Sequence, residues 1–253
     1  MRFALLIVCF LAGFVVRAAE PAARQAAPDR KFTFVIVHGA WAGGWEWKKL
    51  GDALAADGHT VYRPTLTGQG ERFHLASRDV DLKLHIQDIV NFIEWEDLRD
   101  IVLVGHSYGG MVITGVVDEL HDRIKHVIYL DAFLPEDGEN ARMSEGLPRP
   151  PPPAPDGFIP LGDQTGKPVP HVVPQSEKTL TQPISLRHQE AARKVPTTYI
   201  LTVEPGAKPE ADGFFRAYER AKARGWKTLV MEGDHVVHLS KTKELAQLLE
   251  QAP

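Results

Sequence analysis

Cysteine is almost missing from this chain: the only one among 253 residues is Cys9, inside an apolar run at the N-terminus. If that run is removed on export, the mature chain has no disulfide, no thiol nucleophile and no cysteine-based metal site. Charge of one sign is lacking too. The net charge is -4 and no stretch carries a strong basic run, which excludes the electrostatic footprint of a nucleic-acid binder. No dinucleotide fingerprint is present, and the glycine turn Thr67-Gly68-Gln69-Gly70-Glu71-Arg72 lacks the lysine of a phosphate-binding loop. No His, Asp and Glu residues stand at metal-ligand spacing, so the reading needs no metal and no cofactor.

Long hydrophobic runs are limited to one. Met1-Arg2 supplies a positive charge, Phe3 to Val16 is nearly all apolar, and Val16-Arg17-Ala18 offers the small residues of a cleavage site. The run is shorter than the ~20 residues a spanning helix needs, so residues 1–18 read as a secretory signal peptide rather than an anchor. A secreted or periplasmic location follows, with no stable membrane association after cleavage. Residues 19–31, rich in Ala, Pro, Arg and Gln, read as a linker.

From Phe32 onward, short β-branched runs alternate with longer amphipathic stretches. Strands are expected at Phe32–Val37, Thr60–Arg63, Ile101–Val104, His126–Leu130, Thr197–Val203 and Lys227–Glu232. Helices are expected at Gly44–Ala56, Leu82–Leu98, Met111–Leu120 and Lys241–Glu250. In the second, Leu82, Ile86, Ile89, Val90 and Ile93 recur at helical spacing. Such alternation predicts a mostly parallel sheet covered by helices on both faces, filling residues 32–253 as one domain. Between about 135 and 193 the period is lost, and residues 148–174 hold ten of the nineteen prolines. Because the strand pattern resumes afterwards, this insert reads as a small cap rather than a linker.

The strongest chemical signal is Val104-Gly105-His106-Ser107-Tyr108-Gly109-Gly110. Gly-x-Ser-x-Gly between a buried strand and a helix forces the serine into a strained turn, with its hydroxyl above the carboxyl end of the sheet. The helix that follows directs its first N–H groups at developing negative charge. Ser107 is therefore the candidate nucleophile. Its base is expected after the last strand, where only His235 and His238 stand, and His235 is nearer the strand end. An oxyanion site needs two N–H donors: Tyr108, directly after the serine, and Ala40 in His38-Gly39-Ala40-Trp41. The triad acid should be a buried carboxylate beyond a strand end. Asp131 and Glu204 both qualify, with Asp212 third; Asp131 is favoured because it directly ends the apolar run Val127-Ile128-Tyr129-Leu130, whereas Glu204 precedes Pro205-Gly206 and a polar stretch. Trp41 reads equally as pocket or core, while Trp45, Trp47 and His238 read as packing residues.

Three motifs together resemble a known group: His38-Gly39-Ala40-Trp41-Ala42-Gly43-Gly44-Trp45, Gly105-His106-Ser107-Tyr108-Gly109-Gly110-Met111, and Tyr129-Leu130-Asp131-Ala132-Phe133-Leu134-Pro135. They look like bacterial members of the α/β-hydrolase superfamily related to plant methyl-salicylate esterases and hydroxynitrile lyases. The resemblance implies the α/β-hydrolase fold and an esterase-like triad with Ser107 and His235. The plant relatives usually carry the acid after the penultimate strand, where this chain has Glu204-Pro205-Gly206. Haloalkane dehalogenases of the superfamily place it one strand earlier, which matches Asp131 and supports it as the acid, with Glu204 as the alternative. The threonine and lysine of the lyases are replaced by Gly39 and Val236, which removes the group that would stabilise a leaving cyanide. The implied substrate is a small or medium carboxylic ester. A lactone or amide would use the same residues, and a binding protein without turnover is the reading from another class.

The signal-peptide reading has a direct check. Mass spectrometry of the exported protein should find a mature N-terminus at or near Ala19, and intact Met1 in a membrane fraction would contradict it.

Overall fold

The computed structural model describes residues 30–147, 154 and 156–253. The expected signal segment, nearly all of the linker, and the prolines at 148, 150–153 and 155 lie outside the described residues. Among the described residues there are eight strands: β1 Thr33–Val37, β2 Thr60–Tyr62, β3 Ile101–Ser107, β4 Ile124–Ala132, β5 Phe158–Ile159, β6 Gln175–Ser176, β7 Thr197–Val203 and β8 Lys227–Glu232. Six form one sheet in the order β2-β1-β3-β4-β7-β8, every neighbouring pair parallel, and β5 and β6 form a separate antiparallel pair. The chain steps from β1 outward to β2 and then back to β3 on the other side of β1. That reversal opens a crevice at the carboxyl ends of β1 and β3, where an open α/β sheet places its ligand.

Helices cover both faces: α1 Lys48–Ala56, α2 Leu82–Trp95, α3 Gly109–Leu120, α4 Ala141–Ser144, α5 Lys178–Thr181, α6 Gln189–Ala192, α7 Phe215–Ala223, α8 Val237–Ser240 and α9 Thr242–Gln251. Alternate residues along the central strands feed two cores, because successive side chains of a strand point to opposite faces. Val35, Val37 and Leu103 join Ile89, Met111 and Val112 of α2 and α3 on one face. Phe34, Ile36, Val102 and Val104 join Trp47, Leu50, Leu54, Leu245 and Leu249 on the other. Lys31–Pro253 is one compact unit built around these two layers.

The expected elements are found with shifted ends. Gly44–Ala56 divides into a 3₁₀ turn at Gly44–Trp47 followed by α1. The helix from Leu82 stops at Trp95, not Leu98, because Asp97 takes a left-handed φ of 43°. Strand β4 runs two residues further at each end than its apolar core suggested. Helix α7 was not anticipated: it buries only Ala217 and Ala221, a weaker stripe than sequence reading detects. The insert at 135–193 carries short regular pieces, α4, β5, β6, α5 and α6, none longer than four residues.

Asp81 links this cap to the body of the fold. Its carboxylate accepts the Leu84 N–H at 2.8 Å, capping α2, and the Gln182 side-chain amide at 2.8 Å. Removing a cap of this kind costs about 1 kcal/mol. Asp81→Ala should therefore lower Tm by roughly 2–4 °C, while Asp81→Asn, which keeps the cap oxygen, should stay close to wild type by calorimetry.

Candidate active site

Ser107 is the last residue of β3 and takes φ 54°, and Tyr108 directly after it turns into α3 at φ -56°, ψ -31°. A left-handed φ at a non-glycine residue costs about 1–3 kcal/mol and persists only where its surroundings dictate it. Here the neighbouring glycines admit the turn. A Cβ on Gly105 would lie 2.6 Å from Ile113 Cδ1, and one on Gly109 would lie 2.5 Å from the Val37 carbonyl oxygen. The carbonyl of Ser107 accepts the Phe133 N–H at 3.1 Å, tying the turn to the end of β4.

That tie coincides with a slip in register. His106 pairs with Leu130, but Ser107 pairs with Ala132, so Asp131 is left over as a bulge with φ 45°. A bulge re-aims the side chain it carries, and the Asp131 carboxylate is turned into the protein, 1% exposed. Oδ1 accepts the Thr202 N–H of β7 at 3.0 Å, and Oδ2 accepts the His235 Nδ1–H at 2.6 Å. An ionised carboxylate only accepts, so the proton of a neutral His235 sits on Nδ1 and Nε2 keeps its lone pair. The bulge is fixed in turn by Tyr199. Its hydroxyl donates to the Ala132 carbonyl at 2.6 Å and accepts the Ala132 N–H at 3.1 Å. Burial, reinforced by the Asp131 charge, pushes the Tyr199 phenol well above its usual range, so it remains a donor.

His235 lies in the loop after β8, beside two rings. Phe214 stacks on it at 5.3 Å with the planes 10° apart, and His106 lies 4.6 Å away, tilted by 35°. His106 also donates its Nε2–H to the His235 carbonyl at 2.8 Å. Burial drives its pKa well below the ordinary histidine value, an effect deepened by His235 and His238, so this bond is made by a neutral ring. His106 was overlooked in the sequence. The signal was a polar residue at a strand position whose even neighbours, Val102 and Val104, are core.

The other predicted donor lies across the crevice. His38 is fully buried, accepts the Leu66 N–H on Nε2 at 3.1 Å and donates Nδ1–H to the Gly39 carbonyl at 2.7 Å. In a trans peptide the C=O and N–H point oppositely, so binding the Gly39 oxygen directs the Ala40 N–H to the other side. A Cβ on Gly39 would stand 3.1 Å from Ser107 Cβ, which places this loop directly against the serine.

Of the three candidate acids, only Asp131 is hydrogen-bonded to His235. Glu204 is exposed just past β7, its carbonyl closing a turn with the Ala207 N–H at 2.9 Å. Asp212 is half-buried and accepts the Phe214 N–H at 2.8 Å, so it shapes the turn that presents Phe214. Its carboxyl is raised by burial and then by the Asp131 charge. His238 is a packing residue: it is fully buried, stacked on Trp47 at 4.0 Å, with Glu46 Oε2 3.2 Å from its Nε2 but out of hydrogen-bond alignment. Trp47 is core, Trp45 is half-buried over Gly43 and Gly70, and Trp41 reaches into the cap. The Thr67–Arg72 turn is bound internally, with the Thr67 N–H and hydroxyl on Asp88 and Arg72 on the Thr65 carbonyl. Among the described residues no group of three or more His, Cys, Asp or Glu is placed to hold a metal ion.

A strained serine at a strand-to-helix turn, together with a histidine held by a buried aspartate, points to a class of protein. The chain belongs to the alpha/beta hydrolase family, whose model matches residues 34–248. Among curated proteins it is similar to a carbendazim hydrolyzing esterase from Nocardioides sp. (strain SG-4G), at 51% identity over 117 residues, 46% of this chain and 48% of that one. It is also similar to salicylic acid-binding protein 2 of Nicotiana tabacum, at 32% over 111 residues, 43% of this chain and 42% of that one. The chain spans about half the length of the curated relatives it matches. Its fold matches that of an extracellular alpha/beta-hydrolase from a Paenibacillus species, with TM-score 0.68 and 23% identity over 87% of this chain and 98% of that one.

Several histidines that hold this site are buried in the neutral state. His85 donates Nε2–H to the Thr67 carbonyl and accepts the Tyr108 hydroxyl on Nδ1, both at 2.9 Å, and burial lowers its pKa from 6.5 to about 4. His38 and His106 are shifted in the same direction by burial. The unfolded chain therefore binds more protons than the folded one between pH 6.5 and about 4, and stability falls as pH drops through that window. His85 alone contributes up to about 3 kcal/mol of this loss. Urea denaturation at pH 7.5 and pH 5 should show the fall, and His85→Asn, which does not titrate, should flatten it.

Proposed function

We propose that this protein is a serine hydrolase that cleaves a small or medium carboxylic ester by two-step acyl transfer, and that it acts after export, in the periplasm or outside the cell. The observation that carries the reading is the buried Asp131 carboxylate holding His235 Nδ1 at 2.6 Å, with Ser107 on the neighbouring strand end in its strained turn.

The steps follow from the groups present. His235 Nε2 takes the Ser107 hydroxyl proton as the oxygen attacks the ester carbonyl, and Asp131 stabilises the imidazolium that results. The carbonyl oxygen, now carrying the negative charge, is held by the Ala40 and Tyr108 N–H groups. Collapse expels the alcohol, which leaves with the proton from His235, and Ser107 keeps the acyl group. Water then attacks the acyl-enzyme, gives its proton to His235, and the acid departs as the proton returns to Ser107. Every group in this sequence belongs to the chain, its substrate or water. The names of the similar proteins support an ester as substrate, and that of the Nocardioides relative makes carbendazim a compound to try beside short-chain p-nitrophenyl esters.

The triad predicts an ordered series of losses. A fluorophosphonate probe should label Ser107, and Ser107→Ala should abolish labelling while leaving the melting curve intact. Asp131→Asn should lower kcat at least ~100-fold, since the comparable change in a serine protease costs roughly four orders of magnitude. Glu204→Gln, an exposed change, should cost less than about tenfold. A crippled Glu204→Gln beside an active Asp131→Asn would overturn the assignment of the acid.

A further inference from the structure

The residue after Ala40 is gripped by the cap. Trp41 has φ 65°, a left-handed conformation that is costly for a bulky side chain. Three hydrogen bonds hold it there, and all come from residues 159–175. Its N–H donates to Gln175 Oε1 at 2.9 Å, its carbonyl accepts the Val173 N–H at 2.9 Å, and its indole N–H donates to the Ile159 carbonyl at 2.8 Å. Ile159 and Gln175 are themselves a register pair of β5 and β6, so this two-stranded sheet acts as a single clamp.

Of the three residues that bind Trp41, only Gln175 does so with its side chain, and that side chain is completely buried. Burying an amide is unfavourable unless both ends are satisfied, and here both are. Oε1 takes the Trp41 N–H, and Nε2 donates to Thr179 Oγ1 at 2.8 Å. Thr179, also fully buried, donates onward to the Ser176 carbonyl at 2.7 Å. One amide thus links the loop that carries Ala40 to Thr179 of the cap. A leucine would fill this volume but leave the Trp41 N–H without its acceptor, so it is the hydrogen bond and not packing that calls for glutamine.

We propose that Gln175 is a positioning residue: its amide locks Trp41 in the left-handed conformation and so fixes the Gly39–Ala40–Trp41 segment against Ser107, completing from the cap the oxyanion site that the sheet alone leaves half-built. His38 holds this segment from the sheet side through the Gly39 carbonyl, and Gln175 holds it from the cap side through the Trp41 N–H. The proposal rests on the roles given above to Ser107 and Ala40.

Gln175→Leu separates positioning from bulk structure. Turnover of a p-nitrophenyl ester, counted per fluorophosphonate-titrated site, should fall at least about tenfold, because losing one oxyanion donor outright costs ~10²–10³. KM should stay within about twofold, as expected for an interaction made mainly in the transition state. Hydrogen exchange at the Trp41 amide should accelerate, and Gln175→Glu, which keeps an acceptor for that amide, should recover much of the loss. Should Gln175→Leu fail to fold, Thr179→Val, which frees the other end of the amide, carries the same readouts with a smaller effect in the same direction. Unchanged Trp41 exchange, or turnover per site within twofold of wild type, would overturn the proposal. If the unmodified protein neither labels nor hydrolyses esters, the catalytic reading fails on its own, and the exchange measurement still decides whether Gln175 fixes Trp41.

Discussion

The hydrogen bond between Asp131 and His235 is the contact on which the site depends, and it spans 104 residues of sequence. Neither partner could make it from a regular element. Asp131 would alternate back into a sheet face if β4 kept register with β3, and the one-residue slip at Ser107–Ala132 is what frees it to turn. Thr202 on the next strand fills its second oxygen, and Tyr199 grips the following peptide at both its N–H and its C=O. A carboxylate buried without such partners would protonate rather than stay charged. The histidine is held by other means: two rings beside it and a backbone bond from His106.

Strain gathers at the same place. Among the described residues five non-glycine positions have left-handed φ, and three of them, Trp41, Ser107 and Asp131, belong to this site. Each is held by something stiffer than itself: Trp41 by the cap, Ser107 by the glycine-lined start of α3, Asp131 by β7. The two hydrophobic layers on either face of the sheet supply the rigidity that makes these conformations persist. Preorganisation of this kind is how an acyl-transfer site avoids rearranging its dipoles during reaction.

Much of this could be seen in the chain itself. Gly105-x-Ser107-x-Gly109 after an apolar run located the turn, because only a few residue types permit it, and the run of β-branched strands located the sheet. His235, the proposed base, was picked out by its place after the last strand. The carboxylate partner of His235 was harder to read: Asp131 and Glu204 both end strands, and what separates them is a register slip that local sequence does not encode. Its place directly at the end of an apolar run, together with the resemblance to dehalogenases, favoured Asp131 beforehand. The roles of His38, His106, Tyr199 and Gln175 were out of reach for the same reason, since each depends on a partner between 28 and 134 residues away that only the folded sheet and cap identify. The proline-rich cap has short elements held by side-chain hydrogen bonds, and these leave no period to read.

A crystal structure of the protein after reaction with an alkyl phosphonate tests the central claim most directly. Phosphorus should be bonded to Ser107 Oγ, with the phosphoryl oxygen about 2.7–3.1 Å from the Ala40 and Tyr108 nitrogens, and His235 Nδ1 should still lie on Asp131. An adduct on another residue, a phosphoryl oxygen turned away from both N–H groups, or His235 paired with Glu204 would contradict it.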